Sequence, residues 1–285
     1  MNTFPTSKEL KLRARHFMAG AFGPCLMAAF LLVLASFLLR EVLGRSGGTL
    51  PLYYWNTDSS DIQSSLSLSA EGLFAALRVE EVGVGISVAI TPKMVLTMLG
   101  MQLLCAALAA PLRLGCLGQL WAVRRGEPRT TLSLFSAYAD LRRGGQAVLL
   151  ELILTAIQLF LQLIVAIPAV QLLGDLGPTL ESFTAASWLL MLGMATVWCL
   201  MTPFLPARYL LALKEDATAL WALKYSFVLL RGAVGRYLRF RLSFVILELF
   251  SLLTNGVFDI YLFPYQGLAA TEWLVCREQE LGGRP

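Results

Sequence analysis

Apolar residues along this chain gather in long uninterrupted runs, separated by short polar stretches whose charge alternates in sign. A bilayer-crossing helix needs roughly 20 consecutive apolar residues, and several of the runs reach that length. The first covers residues 17–39 and follows Lys8, Lys11, Arg13 and Arg15. It is longer than the apolar core of a signal peptide, and no small-residue cleavage site precedes Arg40, so it reads as a retained helix. Further runs cover residues 94–112, 147–173, 183–207 and 242–257, the last interrupted by Glu248. A shorter one, 261–276, contains Pro264 and Glu272. The pattern predicts an all-α polytopic bundle of six spans forming a single membrane domain over 1–285, the sixth span short through tilt, a half-helix or local thinning.

The intervening polar stretches set the orientation. Cytoplasmic loops of membrane proteins are rich in Lys and Arg. The N-terminal segment is basic, as are the stretches holding Arg124, Arg125, Arg129, Arg142 and Arg143, and Lys214, Lys224, Arg231, Arg236, Arg239 and Arg241. Residues 41–92 carry Asp58, Asp61, Glu71, Glu80 and Glu81, and the connection near Asp175 and Glu181 lacks cations. Both termini are therefore expected in the cytoplasm, with 41–92 outside. In that loop Tyr53, Tyr54 and Trp55 suit an aromatic interface anchor or a ligand platform. Val82 to Ile90 suits a short strand or an interfacial segment.

A three-fold echo runs through the basic segments. Leu10, Ala14, Phe17 and Ala21 recur at helical spacing, as do Leu220, Leu223, Phe227 and Leu230. Leu132, Phe135, Tyr138 and Leu141 form a third set. A glycine stands at or just after the end of each (Gly20, Gly144, Gly232), suited to a hinge into the bilayer. The expected unit is an interfacial amphipathic helix leading a transmembrane hairpin, repeated in parallel. Arg113 follows Pro111-Leu112 and Arg208 follows Pro206-Ala207. Each of these two is expected to snorkel to the cytoplasmic interface, and Arg143 and Arg231 are further interfacial basic residues.

Composition agrees with this picture. Apolar residues make up 57% and charged residues 15% of 285, against about 45–50% and 25% in soluble domains. Mean hydropathy is +0.67. The net charge of +4 fits basic loops facing anionic inner-leaflet lipids better than a nucleic-acid partner. Cys25, Cys105, Cys116, Cys199 and Cys276 lie in or beside apolar runs with no C-x-x-C pair, as small hydrophobes do. They suggest neither a disulfide framework nor a metal site.

Candidate chemistry is sparse. Glu248, mid-run, is either a proton or cation site facing a wet cavity or a paired carboxylate joining helices. Glu151, Gln158 and Gln162 share one face of the third run and Gln102 lies in the second. They are either a polar path or interhelical hydrogen bonds. Ala106 and Ala110 suit close helix contact. His16 is the sole histidine and sits among cations. Glu272, Glu278 and Glu280 read as a solvated tail. No phosphate loop, dinucleotide fingerprint or nucleophile elbow is present, so neither a cofactor nor an enzymatic activity is expected.

Several short motifs resemble a bacterial membrane family known as domain of unknown function 975. They are Ser7-Lys8-Glu9-Leu10-Lys11 with Ala14-Arg15 and Gly20, then Pro111-Leu112-Arg113-Leu114-Gly115, Arg125-Gly126-Glu127 and Leu134-Phe135. Ala222-Leu223-Lys224-Tyr225-Ser226, Arg231-Gly232, Leu242-Ser243-Phe244 and Pro264-Tyr265 with Ala269 complete the set. The resemblance implies a multi-pass protein of the bacterial cell membrane, related to the membrane domain beside some glycerophosphodiester phosphodiesterases, with no catalytic residue to carry over. Trp273-Leu274-Val275 departs from the family's closing Phe-Tyr. The function expected is that of a non-enzymatic membrane component acting through lipid or membrane-protein contacts. The alternative is a transporter or permease-like subunit using Glu248.

Overall fold

The computed structural model describes residues 4–46, 52–56, 84–88, 92–127, 130–176, 180–214, 216–254 and 256–282. They are mainly helical. Asp58, Asp61, Glu71, Glu80 and Glu81 lie outside the described residues.

Helix α1 (Ser7–Gly20) starts on a capping box encoded by Thr6 and Glu9. The Glu9 amide donates to Thr6 Oγ1 (3.3 Å) and the Thr6 amide to Glu9 Oε2 (2.9 Å), satisfying donors that a helix start leaves open. Its buried face is Leu10, Ala14 and Met18. The chain breaks at Ala21 (φ −138°, ψ 42°) and resumes as α2 (Phe22–Ser46). An antiparallel ribbon follows, β1 (Leu52–Asn56) with β2 (Val84–Val88), in register Leu52 to Val88 and Asn56 to Val84. It holds Tyr53, Tyr54 and Trp55, and its second strand falls within the Val82 to Ile90 stretch, whose other residues lie outside the described ones.

Helix α3 (Pro92–Arg124) is followed by a 3-10 segment (Thr131–Phe135), the single turn α4 (Ser136–Ala139) and α5 (Leu141–Leu176). Asp140 Oδ1 accepts from the amides of Arg142 and Arg143 (3.0 and 3.2 Å) and thereby caps α5. Next come α6 (Leu180–Met201), a 3-10 turn (Thr202–Phe204), α7 (Pro206–Leu213) and α8 (Ala219–Leu230). The last elements are α9 (Val234–Leu242), α10 (Val245–Leu253) and α11 (Asp259–Glu280).

Four stretches are long and apolar enough to cross a bilayer: Phe22–Leu39, Leu99–Arg124, Leu141–Pro168 and Thr184–Leu213. They correspond to the first four expected spans. The expected fifth, 242–257, divides instead. α9 ends at Leu242, the backbone turns at Ser243 and Phe244, and α10 has 9 residues, a rise of about 13 Å. The sixth falls on α11, whose helix is deeply buried in protein from Leu262 to Leu274.

Two compact units divide the chain. One comprises Met1–Ser36, Ala106–Leu154 and Trp198–Pro285, the other Phe37–Cys105 and Thr155–Val197. In the second, a Cβ at Gly193 would collide with the Val165 side chain, so α5 and α6 touch closely there. In the first, α11 packs along α1, and α7 along α8. Its largest buried side chains are Trp273, Tyr237, Tyr265, Phe240 and Phe244. Tyr237 meets Trp273 at 4.7 Å between ring centroids, Phe240 meets Phe244 at 5.4 Å and Phe244 meets Tyr265 at 5.5 Å. This aromatic column joins α9 and the turn before α10 to α11, and rings of this size each bury about 150–250 Å².

The three expected amphipathic segments differ from one another. α1 covers its apolar face with α11. α8 buries Ala219, Ala222, Tyr225, Ser226, Leu229 and Leu230 while leaving Leu220 59% and Phe227 47% exposed, so of its four expected apolar positions Leu230 faces the protein, Leu223 is half-buried and Leu220 and Phe227 face away. The 131–141 segment is no amphipathic α-helix. Leu134 and Ala137 are buried, because a Cβ at Gly115 would fall on the Leu134 carbonyl and one at Gly144 on the Ala137 carbonyl. That close backbone approach turns the four expected apolar positions outward.

The hinge glycines separate likewise. Gly232 (φ +73°) follows Arg231 (φ −56°, ψ 121°), and the Ala233 amide donates to Leu230 O at 2.8 Å. This is a type II turn, which needs glycine at its third position. Gly20 is helical, and the break falls at Ala21. Gly144 lies inside α5, where its role is close contact with Ala137.

Candidate functional site: a layer of arginine-carboxylate clusters

The chemistry-bearing side chains of the first unit are concentrated in ion-pair clusters. Glu151, on α5, has a side chain only 5% exposed. Its Oε2 accepts from Arg113 Nη1 of α3 at 2.9 Å and from Arg208 Nη2 of α7 at 2.8 Å. The two arginines expected to snorkel to the interface are instead held inward. A carboxylate buried in a low-dielectric interior would be unstable alone. Two guanidinium groups bonded to one oxygen provide its compensation.

Glu272 on α11 repeats the arrangement. Its side chain is 4% exposed, bonded to Arg124 Nε and 3.6 Å from Arg13 Nη1. The expectation of a solvated Glu272 is thus corrected, because α1 and the end of α3 enclose it. Glu280 forms a third and more open cluster with Arg236 (3.1 Å) and Arg277 (2.6 Å). Those two arginines hold its carboxyl below the usual range. Arg277 also donates to the carbonyls of Leu229 and Arg231 (2.9 and 2.8 Å), gripping the end of α8. Arg231 offers this carbonyl while its side chain stays exposed.

Glu248 is paired. Its Oε1 accepts from Gln266 Nε2 of α11 at 2.8 Å and lies 3.3 Å from Arg241 Nη2. Arg241 also stands over the Trp198 ring, 5.4 Å from its centroid. Tyr209 lies within electrostatic reach of Arg241, Arg208, Arg113 and Glu248, so the Glu151 and Glu248 clusters are neighbours.

The glutamine stripe does not join these clusters. Gln102 and Gln158 are exposed and Gln162 is half-buried, whereas Glu151 is enclosed. Arg143 reaches towards Ala212 O at 3.5 Å. It also lines a pocket of about 210 Å³ with Asp140, Arg142, Gln146, Asp216 and Thr218. The polar groups of that pocket largely serve helix starts: Asp140 caps α5, Gln146 Oε1 accepts from the Ala219 amide (2.8 Å) and Thr218 Oγ1 from Trp221 (3.2 Å).

Lys11 donates to Ser243 O at 2.6 Å and sits 4.3 Å from the Phe244 ring centroid. Burial and neighbouring Arg15 pull its ammonium below the usual lysine range. His16 is exposed beside Phe17. Among the described residues no three His, Cys, Asp or Glu side chains could hold a metal ion together.

Sequence reasoning missed Arg13, Arg124, Arg241, Gln266 and Arg277 as partners. One signal was available: Glu151, Glu248 and Glu272 each interrupt an apolar run, and a carboxylate in such a place calls for a cation from elsewhere. Which cation depends on packing. The chain matches no family model, no curated protein and no solved structure.

Proposed function

We propose that this chain is a multi-pass bacterial cell-membrane protein without an enzymatic activity of its own, working through contacts with lipids and membrane-protein partners. Both termini lie on the arginine-rich, cytoplasmic side, which engages anionic inner-leaflet lipids. Membership of the family with the resembling motifs is part of the same reading.

The observation that carries it is the 131–141 segment. Leu132 is 82% exposed, Phe135 44%, Tyr138 47% and Leu141 87%, and Arg142 follows directly, also exposed. Apolar side chains turned outward beside a cation suit the boundary between headgroups and acyl chains. In water the same row would be an unfavourable apolar patch. Exposed Leu220 and Phe227 beside Lys224 on α8 repeat the combination. Cations near an anionic leaflet contribute about 1 kcal/mol each.

The test uses the full chain in nanodiscs of graded anionic phospholipid content. The unfolding temperature should rise with anionic fraction. Leu132→Asn with Leu141→Asn should shrink that rise, as should Arg142→Gln with Lys224→Gln. A melting temperature indifferent to anionic lipid in wild type would overturn the reading.

A second reading is a transporter subunit using Glu248, whose side chain keeps 27% exposure despite its partners. Proteoliposome flux of protons or small cations, lost in Glu248→Gln, would favour it. Equal flux with and without the protein would remove it.

A further inference from the structure

Residues 242–254 and 256–263 form two arms of a helical hairpin whose dimensions and surface do not suit a bilayer crossing. α9 carries exposed Arg236 and Arg239, so the apolar stretch begins only at Leu242. α10 has 9 residues, and its rise of about 13 Å is under half of the roughly 30 Å hydrocarbon core. The chain then turns and α11 runs back.

The outer face of this hairpin is apolar. Ile246, Leu249, Phe250 and Leu253 are 81%, 55%, 53% and 82% exposed, and Val257 in the turn is 65% exposed. These α10 positions follow the spacing of one helix face. The opposite face holds buried Phe244, half-buried Glu248 and buried Ser251 against α11.

The described amides of the turn are paired within the protein. The Thr254 amide donates to Phe250 O and Ser251 O (3.1 Å each), Gly256 to Ser251 O (2.9 Å), Val257 to Thr254 O (3.1 Å) and Asp259 to Gly256 O (3.0 Å). The Phe258 amide donates to Thr254 Oγ1 at 3.2 Å. Gly256, at φ +81°, permits the reversal. The Asp259 carboxylate accepts from Ser251 Oγ and sits in the first turn of α11, where the helix dipole favours negative charge. An exposed turn in water has solvent for its amides. In hydrocarbon each must find a partner within the protein, and the described amides named here do.

The base is cationic. Lys11 binds the Ser243 carbonyl, Arg241 pairs with Glu248 (3.3 Å) and Arg15 stands over the Tyr265 ring at 5.6 Å. Just beyond, Phe263 packs on the cluster of Ala28, Leu32, Leu112 and Cys116. Those residues belong to two of the membrane-length helices, whose neighbouring Met27 and Phe30 are themselves outward-facing. The hairpin's apolar surface therefore continues one that a bilayer would cover.

We propose that residues 242–263 are a one-leaflet hairpin, entering the acyl layer on the arginine-rich side and returning to that side. The occupant of its exposed face is phospholipid acyl chain. Four crossings and one such hairpin leave both termini on one side, as six crossings would. This goes beyond the lipid-contact reading, because it fixes a depth and does not depend on anionic headgroups.

The test is side-specific thiol labelling of the full chain in intact cells and in inverted membrane vesicles. Val257→Cys is compared with Ser64→Cys in the outer loop and Gly282→Cys near the C-terminus, each read as gain over the parent chain. An impermeant maleimide should label Ser64→Cys in cells and Gly282→Cys in vesicles. Val257→Cys should stay below about a tenth of either control from both sides, since hydrocarbon excludes the reagent, and should recover in detergent. A benzophenone amino acid replacing Val257 should crosslink to phospholipid in the membrane. Labelling from the outer side would establish a full crossing, and labelling from the inner side a hairpin in water. A crosslink to a second copy would assign the face to an oligomer. Each of these overturns the proposal.

Discussion

Arg208 Nη2 donates to Glu151 Oε2 at 2.8 Å, and Arg113 bonds the same oxygen from the opposite helix. One carboxylate thus ties α3, α5 and α7. Removing it leaves two partly buried guanidinium groups facing each other, so Glu151→Leu should destabilise the chain by about 3–5 kcal/mol. Replacing all three residues with leucine removes the uncompensated charges, and should cost far less than the single change. Reversible unfolding in mixed micelles measures both. A triple variant no better than Glu151→Leu would contradict this account.

The outer cluster should behave differently. Arg236 and Glu280 are 40% and 39% exposed, and pairs of that kind contribute about 0–1 kcal/mol. Arg236→Ala should therefore change stability far less than Glu151→Leu in the same assay.

Acid sensitivity follows from Glu280, whose carboxyl Arg277 and Arg236 hold below its ordinary value of 4.5. A depressed folded value contributes stability above the unfolded value, and that contribution fades as pH falls through the depressed one. Glu280→Gln should lower stability near neutral pH and flatten the decline below about pH 4.5. Unfolding midpoints between pH 7 and pH 3 test the slope. An unchanged slope would show that Glu280 carries no such linkage.

Glycine substitutions separate contact from conformation. A Cβ at Gly115 meets the Leu134 carbonyl, whereas at Gly118, also within α3, nothing stands within 4 Å. Gly115→Ala should cost about 1–3 kcal/mol through overpacking, and Gly118→Ala should be neutral or stabilising by up to about 1 kcal/mol. Gly144→Ala should follow Gly115→Ala because of the Ala137 carbonyl. Melting temperatures of the three variants rank the effect.

The aromatic column offers a further check. Trp273 is 1% exposed and meets both Phe4 (5.6 Å) and Tyr237 (4.7 Å). Trp273→Ala should cost about 3–5 kcal/mol, with Trp273→Phe retaining much of the packing. Loss of α1 protection from hydrogen exchange would accompany the alanine change, since α11 covers α1.

Local chemistry determined a good part of this molecule. Thr6 and Glu9 spell the cap that starts α1, and Gly232 spells the turn after α8. Runs such as 17–39 and 147–173 have helical length and apolarity by themselves, so four membrane-length helices were legible along the chain. Such features depend on residues a few positions apart, or on summed hydropathy. Other features depend on which segments meet in space. Arg113 and Arg208 looked like snorkelling cations because nothing near them in sequence offers a carboxylate; Glu151 reaches them only through the packing of α3, α5 and α7. Glu272 looked solvated until α1 and α3 enclosed it. The apolar stretch from Leu242 to Val257 had nearly the length of a span, yet its pairing with α11 turned it into a short hairpin. Glu248, the lone charge in that stretch, drew attention for good reason, and the tertiary structure gave it Arg241 and Gln266. Burial and charge pairing are properties of contacts between distant segments, which is why the fold alone decided them.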